Sequence, residues 1–371
     1  MNIGAAAGRR IAIAILVGLS GTLHQPATAA EPPSVIVSVK PVHSLVAGVM
    51  AGVAEPLLLV DGSASPHAYS LKPSQAAALA GADLVVWVGE GFEYFLEAPM
   101  ESLVPEGHGL ELAELPTIAL FPASVGLLPV REGGVWDAHD QGDGAEDDHD
   151  HADNENDHEH ADEESDHDHA DEEAAHDHAD EEAEHEHADE EAVHDHAHGG
   201  YDPHIWLDPD HAVAIVAAVA DRLRAIDPAN AGAYTANEVA LIDRIHALDA
   251  ETRALLAPVR DIPFIVFHDA YQYFERQYGL HAVGSITLDP EQKPSAARLA
   301  AIRERLGEGG VVCAFAEPGF DDGLLKAAIE GTGVRIATLD PEGIELEAGP
   351  ALYPDLIGGI ARSLSACLAR P

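Results

Sequence analysis

Residues 227–256 read DPANAGAYTANEVALIDRIHALDAETRALL. Asp227 followed by Pro228 supplies an N-cap and then a proline at the first helical position, where its missing N–H would have found no partner anyway. No further proline occurs before Leu256, and Tyr234, Val239, Ile242, Ile245 and Leu248 recur near helical spacing. The stretch predicts one helix of nearly thirty residues, about 40 Å long at 1.5 Å per residue. A rod of that length can brace two lobes rigidly.

On its N-terminal side, apolar runs at Val35–Val39, Pro56–Val60, Leu84–Val88 and Thr117–Leu120 read as strands. Helices are expected at Pro41–Met50 and, capped by Ser74, at Gln75–Leu79; the Pro-punctuated loop 201–209 enters another at His211–Ile226. On its C-terminal side the alternation resumes. Strands Phe264–Phe267, His281–Ile286, Val311–Phe315 and Val334–Leu339 are interleaved with helices Tyr271–Tyr278, Ala296–Leu306, Leu324–Ile329 and Leu352–Leu368. Strands alternating with helices imply parallel sheets covered on both faces, so the fold class is α/β with two lobes. The boundaries are an N-terminal lobe at 31–136 completed by 200–226, a linking helix at 227–258 and a C-terminal lobe at 259–371.

Between the two parts of the first lobe, residues 137–199 abandon ordinary composition. No Lys or Arg interrupts them, and they hold 14 of the chain's 23 histidines and 29 of its 66 acidic residues. A nine-residue unit carries six His-x-His pairs: His149 with His151, His158 with His160, His167 with His169, His176 with His178, His185 with His187, and His194 with His196. So little apolar content cannot offset the entropy of ordering, and like charges repel, so a disordered, solvated loop is expected. A linker selected for solubility alone has no use for imidazoles in register. With carboxylates around them they are zinc-type ligands, and the tract reads as an auxiliary metal-binding segment.

The chain has 371 residues and a formal charge of −47, and it stays acidic when the tract is set aside. No basic patch of the kind a nucleic-acid binder needs is present, and cations are the natural guests. Arg9-Arg10, the apolar run Ile11–Leu23 and Ala27-Thr28-Ala29-Ala30 mark residues 1–30 as a cleavable signal peptide for export to the periplasm. The run is shorter than the roughly 20 residues a membrane span needs, and no Cys sits at the cleavage site for a lipid, so no membrane anchor is expected. In an oxidising compartment the two cysteines, Cys313 and Cys367, point to one disulfide. Closing a loop of about 55 residues would stabilise by roughly 4 kcal/mol on the chain-entropy argument.

Three histidines outside the tract, His67, His204 and His268, sit in Pro- or Asp-marked loops or just past a strand, in three separated segments. In open parallel sheets such loops converge beyond the carboxyl ends of the strands, where ligands bind. Three imidazoles meeting there would fill most of zinc's tetrahedral shell. Asp340, directly after the strand Val334–Leu339, is the candidate fourth ligand, with Glu317 and a water as rivals.

Four segments carry a resemblance. Ser65-Pro66-His67-Ala68-Tyr69-Ser70-Leu71-Lys72-Pro73-Ser74, Asp202-Pro203-His204-Ile205-Trp206-Leu207, Val266-Phe267-His268-Asp269-Ala270-Tyr271 and Phe315-Ala316-Glu317-Pro318, in that order, resemble those of the periplasmic zinc-binding proteins of ABC importers. The acidic His-rich insertion before the second segment does too. The resemblance covers nearly the whole mature chain. It implies two Rossmann-like lobes joined by one long helix, with metal held in the cleft by His67, His204 and His268. Relatives that carry manganese or iron usually have Glu at the place of His268, so His there favours zinc. Their fourth ligand is an Asp near the position of Asp340, whereas zinc members vary. The zinc branch also often has a disulfide matching Cys313 and Cys367. Gly319 stands where Gln is more usual.

The expectation is a monomeric periplasmic receptor that captures Zn²⁺ and delivers it to an ABC permease of the inner membrane. The chain has no phosphate-cradling P-loop, so the energy must come from elsewhere. The rivals are a manganese or iron receptor of the same family and a periplasmic zinc buffer not coupled to transport. A zinc hydrolase would need a positioned base beside the metal, and no His-Glu-x-x-His helix occurs, so no enzyme is expected.

Overall fold

The computed structural model describes residues 31–61, 65–119, 127–128, 131, 135–136 and 201–369. The expected signal segment lies outside them. So does the His-rich tract, and with it every auxiliary metal ligand expected there: His149, His151, His158, His160, His167, His169, His176, His178, His185, His187, His194 and His196.

The first lobe holds β1 (Val35–Val37), α1 (Lys40–Val49), β2 (Leu57–Leu58), α2 (Pro73–Ala80), β3 (Leu84–Trp87), α3 (Glu97–Ser102), β4 (Gly109–Glu111), α4 (Pro116–Ala119) and α5 (Pro209–Ile226). The long helix α6 (Ala231–Leu256) follows. The second lobe is β5 (Phe264–His268), α7 (Gln272–Tyr278), β6 (Ala282–Thr287), α8 (Ala296–Gly307), β7 (Cys313–Ala316), α9 (Gly323–Ile329), β8 (Arg335–Thr338) and α10 (Leu352–Leu368). The sheets run in the orders β2-β1-β3-β4 and β6-β5-β7-β8, parallel throughout. Each lobe therefore repeats one topology, with its first strand flanked by its second and third.

Alternation along the strands shows where the core lies. Val35, Val37, Leu84 and Val86 of the first sheet and Phe264, Val266, Cys313 and Phe315 of the second all join a single apolar core. That core includes Val42 and Leu45 of α1, Val216 and Val219 of α5, Leu241 and Ile245 of α6, and Leu356 and Ile360 of α10. The intervening residues face away. Ile36, Val85 and Trp87 pack on Leu79 and Leu96, while Ile265, Phe267 and Ala314 pack on Ile302 and Leu325. Both sheets thus turn one face onto the same layer of helices, as the period of two in a strand requires.

Two expected element boundaries are corrected. Thr117–Leu120 is not a strand: residues 116–119 are helical, with Pro116 opening the turn where proline is tolerated, and Leu120 lies outside the described residues. The fourth strand is β4, a half-buried edge strand too short to show as an apolar run. Ser74 does not cap α2 either. Pro73 opens that helix, and the Gln75 side chain reaches back to accept the Lys72 N–H at 2.9 Å.

α6 is 26 residues long, about 39 Å. A single 3-10 turn, Pro228–Asn230, precedes it, so Asp227 caps that turn region instead of α6 itself; its carboxylate accepts from Asn230 Nδ2 at 2.7 Å and the Tyr234 hydroxyl at 2.8 Å. Tyr234, Leu241, Ile245, Thr252 and Leu256 form the buried stripe, and Val239 is 56% exposed. Gly48 lets α1 approach closely, since a Cβ there would lie 2.8 Å from Leu241 Cδ2. Asn237 of α6 then donates to the Val49 and Ala51 carbonyls, both at 2.9 Å, closing the C-terminal end of α1.

Two further ties matter for the site. The Cys313–Cys367 disulfide, with Cα atoms 6.2 Å apart, fastens the start of β7 to the end of α10. Residues shortly before the tract lie against the second lobe: Val135 forms an antiparallel bridge with Gly284, and the Trp136 N–H donates to Val283 O at 3.1 Å. Arg131 pairs with the buried carboxylates of Asp269 and Glu275 and stacks on Trp136 at 3.9 Å.

Candidate metal centre

His268 is the last residue of β5, at the point where the strand order diverges to β6 on one side and β7 on the other. In such sheets that crevice is where ligands bind. His67 lies in the loop after β2, in a 3-10 turn opened by Pro66, where Ser65 Oγ accepts its N–H at 3.3 Å. His204 immediately precedes the turn Ile205–Leu207 that leads into α5. Three segments from two lobes thus deliver three imidazoles to one place. Each of the three offers a ligand nitrogen within 4.8 Å of the others, and among the described residues no Cys, Asp or Glu joins the group. His204 and His268 are buried, and His67 is half-buried.

The separations fit a tetrahedral cation. The His204 and His268 Nε2 atoms face each other at 3.4 Å. Zinc–nitrogen bonds of about 2.0–2.1 Å at tetrahedral angles place two ligand nitrogens about 3.3–3.4 Å apart. Ring centroids at 5.2 Å for His204–His268, 5.9 Å for His67–His204 and 6.0 Å for His67–His268 close the triangle. Phe92 stands edge-on to His67 at 4.9 Å and to His204 at 5.7 Å, and Trp206 packs on His204 at 5.4 Å. These apolar rings limit water around the nitrogens.

Carboxylates fix how the imidazoles present themselves. His204 Nδ1 lies 2.7 Å from Asp202 Oδ1, which also accepts the His204 backbone N–H at 3.0 Å. His268 Nδ1 lies 2.6 Å from Glu317 Oε2, and the Tyr271 hydroxyl donates to Glu317 Oε1 at 3.3 Å. A proton held on each Nδ1 leaves the Nε2 lone pair turned towards the partner imidazole, the tautomer a metal requires. Burial, and then the field of His268, hold the His204 pKa well below its ordinary value. Burial works in the same direction on His268, but the Glu317 carboxylate overcomes it and the net shift is upward. Burial thus favours the neutral form of His204, whereas the Glu317 carboxylate shifts His268 towards holding its proton.

Asp340 does not join the three. Its Oδ1 accepts from the Gly343 N–H at 2.7 Å and the Glu342 N–H at 3.1 Å, organising the loop after β8. Glu317, the rival, is engaged behind His268. The pairing roles of Asp202 and Glu317 were not read from the sequence. For Asp202 the signal was available, since a carboxylate two residues before a histidine can reach its Nδ1; for Glu317 it was not, because that contact depends on β5 and β7 being neighbours. Three other described histidines are engaged elsewhere: His43 Nε2 pairs with Pro56 O at 3.0 Å, His108 Nδ1 with Ala82 O at 2.8 Å and His211 Nδ1 with Ile205 O at 3.2 Å.

Two repeated parallel-sheet lobes on a common long helix, with imidazoles from both converging at the strand ends, define a two-lobed binding protein of the metal-receptor type. Residues 35–367 match the family described as zinc-uptake complex component A, periplasmic. The chain is 44% identical over 362 residues to the high-affinity zinc uptake system protein ZnuA of Brucella suis, covering 97% of this chain and 98% of that one. It is 43% identical to the protein of the same name from Paracoccus denitrificans, over 95% and 97% of the two. The solved structure of the periplasmic zinc-binding protein TroA from Treponema pallidum shares the fold, with a TM-score of 0.64 at 17% identity, over 91% of this chain and all of that one. The chain belongs to the ZnuA family.

Proposed function

We propose that this protein is the periplasmic zinc receptor of an ABC importer. His67, His204 and His268 take one Zn²⁺ between the lobes, and the loaded protein delivers it as a monomer to a permease in the inner membrane. The 3.4 Å facing of the His204 and His268 Nε2 atoms, each backed by a carboxylate on Nδ1, carries this reading. The names of the relatives, zinc uptake proteins, support the choice of cargo. Neutral imidazoles suit zinc, whereas manganese prefers oxygen donors. With Asp340 held by backbone N–H groups and Glu317 by His268, the fourth position falls to water.

The tract at 137–199 serves as an auxiliary, weaker binding segment. Its His-x-His pairs, from His149 and His151 to His194 and His196, are tethered beside His204 and either collect zinc for the cleft or sense its excess. Stopped-flow loading with and without the tract separates the two, since collection requires faster filling. Residues 1–30 direct export and are removed.

The decisive experiment is zinc titration against a competing chelator for the mature protein and for His67→Ala, His204→Ala and His268→Ala. Each variant should lose more than the roughly 10- to 100-fold typical of an outer-shell change. Unchanged affinity in all three would refute the assignment.

A further inference from the structure

Lys40 is the first residue of α1, just beyond the carboxyl end of β1, and it is only 8% exposed. Its ammonium donates to Ile344 O at 2.8 Å, Leu346 O at 3.1 Å and Gly343 O at 3.3 Å. All three carbonyls belong to the loop after β8, in the opposite lobe. A lysine has three N–H donors, and here every one is spent on that loop. Trp206, two residues after His204, grips the same loop by donating Nε1–H to Pro341 O at 2.8 Å. Inside the loop the Asp340 carboxylate is turned onto the Glu342 and Gly343 N–H groups. Burying an ammonium is costly, so three bonds to one loop call for a reason.

We infer that Lys40, assisted by Trp206, is a positioning residue for cargo selection: by clamping the loop 341–346 it keeps the Asp340 carboxylate off the ion. The inference rests on the three-imidazole reading above. Asp340 lies past the end of β8, β8 pairs with β7, and β7 pairs with β5, which ends at His268. Two strand spacings put the Asp340 backbone about 10 Å from that of His268. An imidazole and a carboxylate pointing towards each other, with a metal bond of about 2 Å from each, bridge that distance. Released from its turn, Asp340 would replace water with a charged oxygen donor and make the site more favourable to manganese. Clamped, the protein's own donors remain nitrogen only.

A lysine that merely held the lobes together would affect both metals alike. The discriminating quantity is the ratio of Mn²⁺ to Zn²⁺ affinity, each measured alone on the folded full-length mature protein, with the electron paramagnetic resonance spectrum of bound Mn²⁺ reporting its ligands. Lys40→Met keeps the apolar stem and removes the three donors. The ratio should rise at least tenfold with a changed spectrum, Lys40→Arg should stay near the wild-type ratio, and Lys40→Met combined with Asp340→Asn should lose the gain. A ratio that does not move while zinc stays tight overturns the inference, as does a rise that survives Asp340→Asn. If Lys40→Met fails to fold, Trp206→Phe, which deletes the donor to Pro341 and keeps a smaller aromatic ring beside His204, is read by the same ratio and the same loss on adding Asp340→Asn. Zinc affinity of the wild type and of His204→Ala, taken in the same assay, tests the three-imidazole reading separately.

Discussion

At His268 two opposing influences meet: burial that disfavours a charge and a carboxylate, Glu317, that favours it more strongly. Because the net shift is upward, a proton competes with zinc at His268 in a range where His204, shifted down, does not. The sign follows. Zinc affinity should be independent of pH above the His268 pKa and should fall as pH drops through it. Glu317→Gln removes the charge that raises this pKa, so the acid limb should move to lower pH, while the less basic imidazole costs roughly 10- to 100-fold in affinity at neutral pH. Affinities measured between about pH 5 and 8 test both effects; a limb that stays in place would show that Glu317 does not set it. The three histidines were legible in the sequence because each sits in a loop or at a strand end. Lys40 was not, since nothing local to Val39-Lys40-Pro41 reveals a loop three hundred residues away.

Among the elements, strong apolar runs announced themselves and short edge pieces did not. β3 and β5 are buried throughout and read directly, whereas β4 has only half-buried residues and no apolar run to mark it, unlike the helical turn after it. The register of a long helix was also only partly legible, because Val239 has helical spacing yet faces water, and Leu241 is the residue α1 meets. Two ties between elements can be weighed. The Cys313–Cys367 disulfide spans 54 residues, and replacing both cysteines by Ser should lower unfolding stability by about 2–4 kcal/mol in urea titrations. A smaller change would mean the unfolded chain is already compact there. Arg131 sits between the buried carboxylates of Asp269 and Glu275. Arg131→Met leaves both unpaired and should cost about 3–5 kcal/mol, measured in the same way. A loss under about 1 kcal/mol would show that the pair is screened like a surface bridge.

For the molecule as a whole, the three site histidines and the carboxylates behind them lie outside residues 137–199. Deleting residues 140–196 should therefore remove several weak zinc equivalents by calorimetry and leave the tight one in place. Loss of the tight equivalent would contradict that separation. The continuous core beneath both sheets has a mechanical consequence. With α1, α5, α6 and α10 interdigitated under the two lobes, no seam exists among the described residues along which they could swing apart without wetting that layer. An ion held between the sheets would then have to leave by local yielding of side chains and loops. Packing shared in this way couples the two halves, so a change made in one is felt in the other.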